Sequence, residues 1–517
     1  MKYPFNTNEA KIIIPITTFL KSFIKLQTLK YILSPNINII KSKLLFCFHV
    51  LIHENKEILI DNLSNFPEAV LVIMKIKNLE TKLFWALVAF GVLSRLFLVV
   101  KLPIWHDEYY SIWAATHSAW DIITSKTDLV HPPGYYLILH FWGLISHHLY
   151  WYRFLSVIAF TANIFLIKKL AENLGKQGNS NLLVFLYIFS GYFLTFDWQV
   201  RMYTLIVTLI LFSVFTLSKL VNIRESKTSL WIYFTLMNYS GLYIDYAYVF
   251  YFVPMAVFTL IYIFLKKRDE FFVAFDSFAV SSILFAVTYP TIFLGGLTGV
   301  HGIEWMRPFI RADFFIPFFL GSHIAIVFSL IFLLVFIYGT YIFVKKKNYN
   351  FGVLAITFSA LFSLVFTLVY SYYKTPLFHV RSLQIVGIAI IIFLYFGLSA
   401  LSKVFKPYLF TTLILCFIFN FIVVNQTLFR SPGSLVIDYF PWRDILNSTD
   451  LTGVKTVKYK IVYKLPTPML LYGLEYTLAG RENIGRQSIK MSEYIETEDN
   501  SNCEKFNDNL LDLYKCK

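Results

Sequence analysis

Apolar residues in this chain come in long unbroken runs. Eleven of them approach the roughly 20 residues a helix needs to cross a bilayer. They lie near 83 to 100, 150 to 167, 181 to 196, 200 to 218, 230 to 248, 249 to 265, 271 to 293, 322 to 344, 350 to 372, 383 to 401 and 408 to 427. Residues 135 to 147, YYLILHFWGLISH, are too few for a hydrocarbon core of about 30 Å and are predicted as a helix lying beside the membrane. After residue 432 the pattern changes. Val457, Tyr459, Ile461, Tyr463 and Leu465 alternate with Lys458, Lys460 and Lys464, the period of two expected of a half-buried strand. The predicted fold class is an all-α polytopic membrane protein of about 11 transmembrane helices plus juxtamembrane helices, with a small C-terminal extracytoplasmic α/β domain.

Composition excludes the soluble alternatives. Of 517 residues, 57% are hydrophobic and only 15% charged, against about 25% charged in soluble proteins. Disordered, collagen-like and disulfide-scaffold chains are excluded by 21 Gly, 17 Pro and 4 Cys. The net charge of +15 matters through its placement, because loops on the cytoplasmic side concentrate Lys and Arg. With Lys75, Lys77 and Lys82 ahead of the first span, strict alternation puts Lys168/Lys169/Lys176, Lys219/Arg224/Lys227, Lys266/Lys267/Arg268, Lys345/Lys346/Lys347 and Lys403/Lys406 on that same side. These short, membrane-flanking clusters do not suggest nucleic-acid binding. The opposite face, expected to be the outer face of the cell membrane, receives loops 101 to 134, 294 to 316 and 373 to 382, together with the tail.

Three parts follow: 1 to 73, an N-terminal extension without the pattern of a signal peptide; 74 to 431, the transmembrane domain; and 432 to 517, the extracytoplasmic domain. Cys503 and Cys516 fall in the tail, where an oxidising compartment would allow them to pair, whereas Cys416 lies in a span and Cys47 in the extension.

Candidate chemistry collects on the outer face. Asp107 and Glu108 follow the first span, flanked by Trp105, Tyr109, Tyr110 and Trp113. Adjacent carboxylates in a partly dry site tend to raise one pKa, and either one is able to accept a proton or hold a metal ion. The plainer alternative is a solvated loop end in an aromatic belt. His131, before Pro132, Pro133 and Gly134, marks a rigid turn back toward the membrane, although a lone His is more often structural. Asp197 precedes Trp198, Arg201, Met202 and Tyr203. Arg201 either snorkels to the interface or holds a phosphate with its planar fork. Arg381 has the corresponding place before a later span, with Lys374 and His379 nearby, and Glu304, Arg307 and Arg311 occupy another outer loop.

The Asp107-Glu108 pair, the HPPGYY turn, the YRFLSVIAF start of the second span and the RMYTL segment resemble the GT-C membrane glycosyltransferases, specifically bacterial and archaeal relatives of dolichyl-phosphate-mannose protein mannosyltransferase. The resemblance is closest over about 83 to 205. This chain has Arg381-Ser382 where such relatives often have Arg-Tyr. The resemblance implies a GT-C-like bundle that transfers a hexose or related sugar from a polyprenyl-phosphate donor to a protein, lipid or polysaccharide acceptor, with inversion. Asp107 would be the base and Glu108 would orient Asp107 or the acceptor. Arg201 and Arg381, with Lys374 in reserve, would bind the donor phosphate. His131, Asp197 and Tyr203 would support the acceptor or the loops, with Asp197 either fixing Arg201 or helping to hold a divalent metal, a site left open. A transporter or flippase of lipid-linked sugars is the competing class, but its ionisable residues belong near the bilayer midplane, and Asp245 falls near an outer helix end.

Overall fold

The computed structural model describes residues 67–102, 104, 106–124, 131–174, 179–222, 228–289, 326–346, 350–373, 380–404, 411–419, 421–422 and four strands between 456 and 516. Lys374, His379, Glu304, Arg307 and Arg311 lie outside them. The chain divides into two compact units, Met1–Lys75 and Ile76–Lys517. In the first, only the beginning of helix α1 is described.

In chain order the helices are α1 Pro67–Lys101, α2 His106–Thr116, α3 Ala119–Ile123, α4 Gly134–Gly143, α5 Leu149–Asn173, α6 Ser180–Ile188, α7 Gly191–Phe196, α8 Tyr203–Asn222, α9 Thr228–Ile244, α10 Val249–Lys266, α11 Phe271–Thr288, α12 Ile326–Lys346, α13 Phe351–Tyr373 and α14 Gln384–Val404. Seven described helices are long and apolar enough to cross a membrane: Leu79–Lys101, Leu149–Asn173, Tyr203–Val221, Tyr246–Lys266, Arg268–Thr288, Phe351–Tyr373 and Gln384–Leu401. Their outward faces carry large apolar side chains, among them Leu93 and Phe97 of α1, Ile283 and Val287 of α11, and Leu361 and Val365 of α13. Such a surface calls for lipid as its solvent.

Four of the eleven expected spans do not meet that criterion among the described residues. Helix α9 has 17 residues, α12 has a shorter apolar stretch, Ile331–Lys345, and the last span is described only in part. The expected span at 181 to 196 is corrected to two short helices. Phe189 ends α6, and Ser190 adopts an extended conformation before α7. The freed carbonyl of Ile188 accepts a hydrogen bond from Arg95 Nη2 at 2.9 Å, which satisfies a helix-terminal group that lipid could not. The juxtamembrane helix expected at 135 to 147 is α4, 10 residues long.

Lysine-rich helix ends gather at one end of the bundle. Lys168 Nζ, near the end of α5, stands 3.7 Å from the Phe84 ring centroid in α1. Lys267 Nζ, after α10, donates to the Leu220 carbonyl of α8 at 3.5 Å. Asn350, before α13, donates to the Asn173 carbonyl of α5 at 2.8 Å. Helices α12 and α14 pack closely through Gly339 and Gly397, where an added Cβ would collide with the carbonyl oxygens of Phe393 and Val335. Small residues of this kind let membrane helices approach backbone to backbone.

The tail forms a four-stranded sheet of order β2-β1-β4-β3, with β1 Thr456–Ile461, β2 Lys490–Glu493, β3 Cys503–Asn507 and β4 Leu511–Cys516. Strand β1 pairs in parallel with β2 and antiparallel with β4. The alternating segment predicted from Val457 onward is thus a central strand. The helical part of the expected α/β domain lies outside the described residues.

Candidate active site

At the end of the bundle away from the lysines, α1 stops and the chain turns into α2. Asp107 and Glu108 occupy the first turn of α2, where the partial positive charge of a helix N-terminus favours carboxylates. Successive helical residues point about 100° apart, and the two acids have opposite surroundings. Glu108 is sealed. Its Oε1 accepts from Arg153 Nε at 2.8 Å and its Oε2 from Arg153 Nη2 at 2.6 Å, with both side chains 0% exposed. Arg153 Nη1 also donates to the carbonyls of Val99 and Leu102 at 2.8 Å each, so this guanidinium caps the end of α1 while it pairs with α2. Both Glu108 oxygens are thus engaged by Arg153 inside the fold, away from solvent.

Asp107 is partly exposed. Its side chain is 18% exposed, and Oδ2 receives Arg381 Nη1 at 2.6 Å and lies 3.9 Å from Arg201 Nε. Arg381 enters just ahead of α14, and its carbonyl accepts from Gln384 Nε2 in the first turn of that helix. Arg201 donates from Nη1 to Ser111 Oγ at 3.1 Å, and its Nη2 lies 3.4 Å from His131 Nε2. Burial alone would lower the Arg201 pKa. The nearby oxygens of Tyr203 and Asp107 outweigh it and hold the guanidinium protonated. Beside it, burial pushes the Tyr135 phenol well above its ordinary range, with Arg201 pulling the other way. Among the described residues, the Tyr135 hydroxyl is buried without a hydrogen-bond partner.

Arg201 belongs to an irregular segment, residues 197 to 202, in which every residue is buried. Irregular backbone at this depth persists only where protein groups satisfy it. The Val200 N–H donates to Glu108 Oε1 at 2.9 Å, the Gln199 carbonyl accepts from Ser156 Oγ, and the Trp198 ring lies 4.7 Å from the Arg153 guanidinium. Asp197 pairs with Arg95 Nη2 at 3.2 Å, both groups being buried. Its carboxylate serves Arg95, which also lies over the Phe160 ring at 4.1 Å.

His131 is held from the far side. Tyr289 donates to its carbonyl at 3.4 Å, and Asp245, buried and accepting from the Ala247 N–H at 3.0 Å, is within electrostatic reach of His131 and Arg201. The HPPG turn needs its glycine, since a Cβ at Gly134 would meet the Tyr243 carbonyl of α9. We expect Gly134→Ala to cost about 1–3 kcal/mol, the range for overpacking a close contact, read as a lower unfolding temperature in detergent. An unchanged temperature would show that α9 yields at no cost.

The structure thus brings together Asp107, Arg201, Arg381 and His131, with Tyr203 5.7 Å from the Arg201 guanidinium. It adds Arg153 and Arg95, which the sequence reading did not select. Both sit inside apolar runs, and an ionisable residue within a span is itself a signal of a specific role. Among the described residues, no group of three or more His, Cys, Asp or Glu is placed to hold a metal ion.

No protein-family model matches the chain, and no curated protein matches it. Among solved structures it is similar to the arabinosyltransferase EmbB from Mycobacterium smegmatis, at 12% identity and a TM-score of 0.41, over 61% of this chain and 30% of that one. It is also similar to ArnT from Cupriavidus metallidurans bound to undecaprenyl phosphate, at 7% identity and a TM-score of 0.48, over 83% of this chain and 97% of that one. The chain therefore spans less than a third of EmbB. At these scores the side chains of the site, and not the overlaps, carry the functional reading.

Proposed function

We propose that the chain is an integral-membrane glycosyltransferase, moving a hexose or related sugar from a polyprenyl-phosphate donor to an acceptor hydroxyl on the outer face, with inversion. The observation that supports this reading is the clamp of partly exposed Asp107 between Arg381 and buried Arg201, at the bundle end opposite the lysines. It combines a candidate base with two cations of the geometry that suits phosphate oxygens.

Such a clamp fits the chemistry. The acceptor oxygen attacks the anomeric carbon, the bond from that carbon to the phosphate oxygen breaks, and the acceptor proton passes to Asp107. The donor phosphodiester carries one negative charge and the departing phosphomonoester two. The added charge is the quantity that Arg201 and Arg381 would stabilise. Both guanidiniums also lie against Asp107 and partly neutralise it. A phosphate that draws them away would leave the carboxylate more basic at the moment it must take a proton. Glu108 and Arg153 act as positioning residues, fixing the turn that presents Asp107 and the segment that presents Arg201.

The test is transfer of label from radiolabelled polyprenyl-phosphate sugars to endogenous acceptors, in membranes containing the full chain. Label above that of control membranes is expected, and no label from any donor with folded protein present would overturn the reading. In the same assay, Arg381→Gln removes a charged hydrogen bond that counts for about 1.5–3 kcal/mol. We expect a loss of about 10- to 150-fold in kcat/KM, with donor KM raised. An unchanged donor KM and rate would remove Arg381 from the site.

A further inference from the structure

The C-terminal sheet carries a covalent site of its own. Cys503 opens β3, and Cys516 lies at the end of β4. In the antiparallel β3–β4 pair the two are Cα partners. Directly opposed residues in such a pair share one face of the sheet, with Cα atoms about 4.5 or about 5.5 Å apart according to the hydrogen-bonding of the pair. Both separations fall inside the span of about 4.4–6.8 Å that a disulfide bridges. The register therefore meets the main geometric condition without movement of the backbone.

The other cysteines have different places. Cys416 is a free, half-buried thiol in the helical stretch at 411–419, and Cys47 lies far away in sequence, outside the second compact unit. Cys516 also faces Thr456 across the β1–β4 pair. A bond at this point would tie the edge strand β3 to the strand that joins it to the rest of the sheet.

We propose that Cys503 and Cys516 form an intramolecular disulfide that closes the β3–β4 hairpin, made on the outer, oxidising side of the membrane. Two thiols lose two protons and two electrons, and one sulfur–sulfur bond forms. The acceptor is the disulfide of a thiol oxidoreductase of that compartment, which exchanges through a mixed disulfide and leaves as its dithiol. Cytosolic thiols are kept reduced, so the bond also reports on which side of the membrane the tail lies. The inference rests on strand register and is independent of the transfer chemistry.

The experiment counts accessible thiols on the full chain. Cells are quenched with acid, the protein is denatured, and a maleimide-polyethylene glycol reagent is added with or without prior reduction. Two adducts without reductant and four after it are expected. Cys503→Ser and Cys516→Ser should each give three adducts without reductant, whereas Cys416→Ser should give one. Four adducts from unreduced wild type would overturn the proposal. Purified protein treated with oxidised glutathione then tells which premise failed: two adducts would fault the compartment, and four the register. A covalent dimer dissolved by reductant, or one adduct from unreduced Cys503→Ser or Cys516→Ser, would overturn the intramolecular Cys503–Cys516 pairing.

Discussion

Asp107→Asn is expected to lower sugar transfer by at least about a hundredfold, the lower end of what a positioned base contributes. The substitution keeps an oxygen able to accept from Arg381, at the position where Oδ2 now lies 2.6 Å from Nη1, and keeps the volume of the side chain. What it removes is the capacity to take up the acceptor proton. The side chain itself is 18% exposed, but Arg201, 4% exposed, loses a carboxylate neighbour while keeping Ser111 Oγ as an acceptor, so a moderate loss of stability accompanies the change. At matched folded protein, kcat should fall and donor KM should not rise, a loss larger than any drop in unfolding temperature accounts for. Initial rates at saturating donor decide it, with protein quantified in the same membranes. Equal rates in variant and wild type would take Asp107 out of the mechanism and leave the clamp as a structural ion pair.

Arg153→Met has the opposite profile, and its main effect is on stability. Arg153 and Glu108 are both fully buried, and removing one partner of a buried pair typically costs about 3–5 kcal/mol, because the remaining charge cannot reach water. Here the loss extends further, since the carbonyls of Val99 and Leu102 give up their donor. We expect poor recovery of folded protein and a large drop in unfolding temperature. Arg153→Lys should rescue only part of it, because an ammonium cannot reproduce the two-pronged contact with Glu108. Combining Arg153→Met with Glu108→Gln should be less damaging than the sum of the two, since no buried charge is left over. Strict additivity in that cycle, measured by thermal unfolding in detergent, would show that the two side chains do not act as a pair.

Much of the membrane architecture was legible in the chain because it depends on local properties. A run of apolar residues is a span wherever the rest of the protein goes, and lysines next to it mark one side of the bilayer. Helix α4 was legible as a non-spanning element from its length alone. The break between α6 and α7 was not. It depends on Arg95, almost a hundred residues earlier, taking up the Ile188 carbonyl, and no local pattern reports a partner at that distance. The partner of Asp197 was not legible for the same reason. Its neighbour in sequence is Arg201, but its partner in space is Arg95.

The site shows the same division at the scale of two residues. Composition and position marked Asp107, Glu108, Arg201 and Arg381 as acids and cations just beyond the ends of spans, on one face of the membrane. The sequence by itself determined that these charges would be available there, because apolar runs and lysines set where the chain leaves the bilayer. Only the tertiary structure decided that Asp107 meets Arg381 and Arg201 at a partly exposed position, while Glu108 is sealed against Arg153. Adjacent positions on a helix point about 100° apart. Which of them meets water and which meets a buried guanidinium depends on how α5, the 197 to 202 segment and the start of α14 pack around α2, and those elements are distant in the chain.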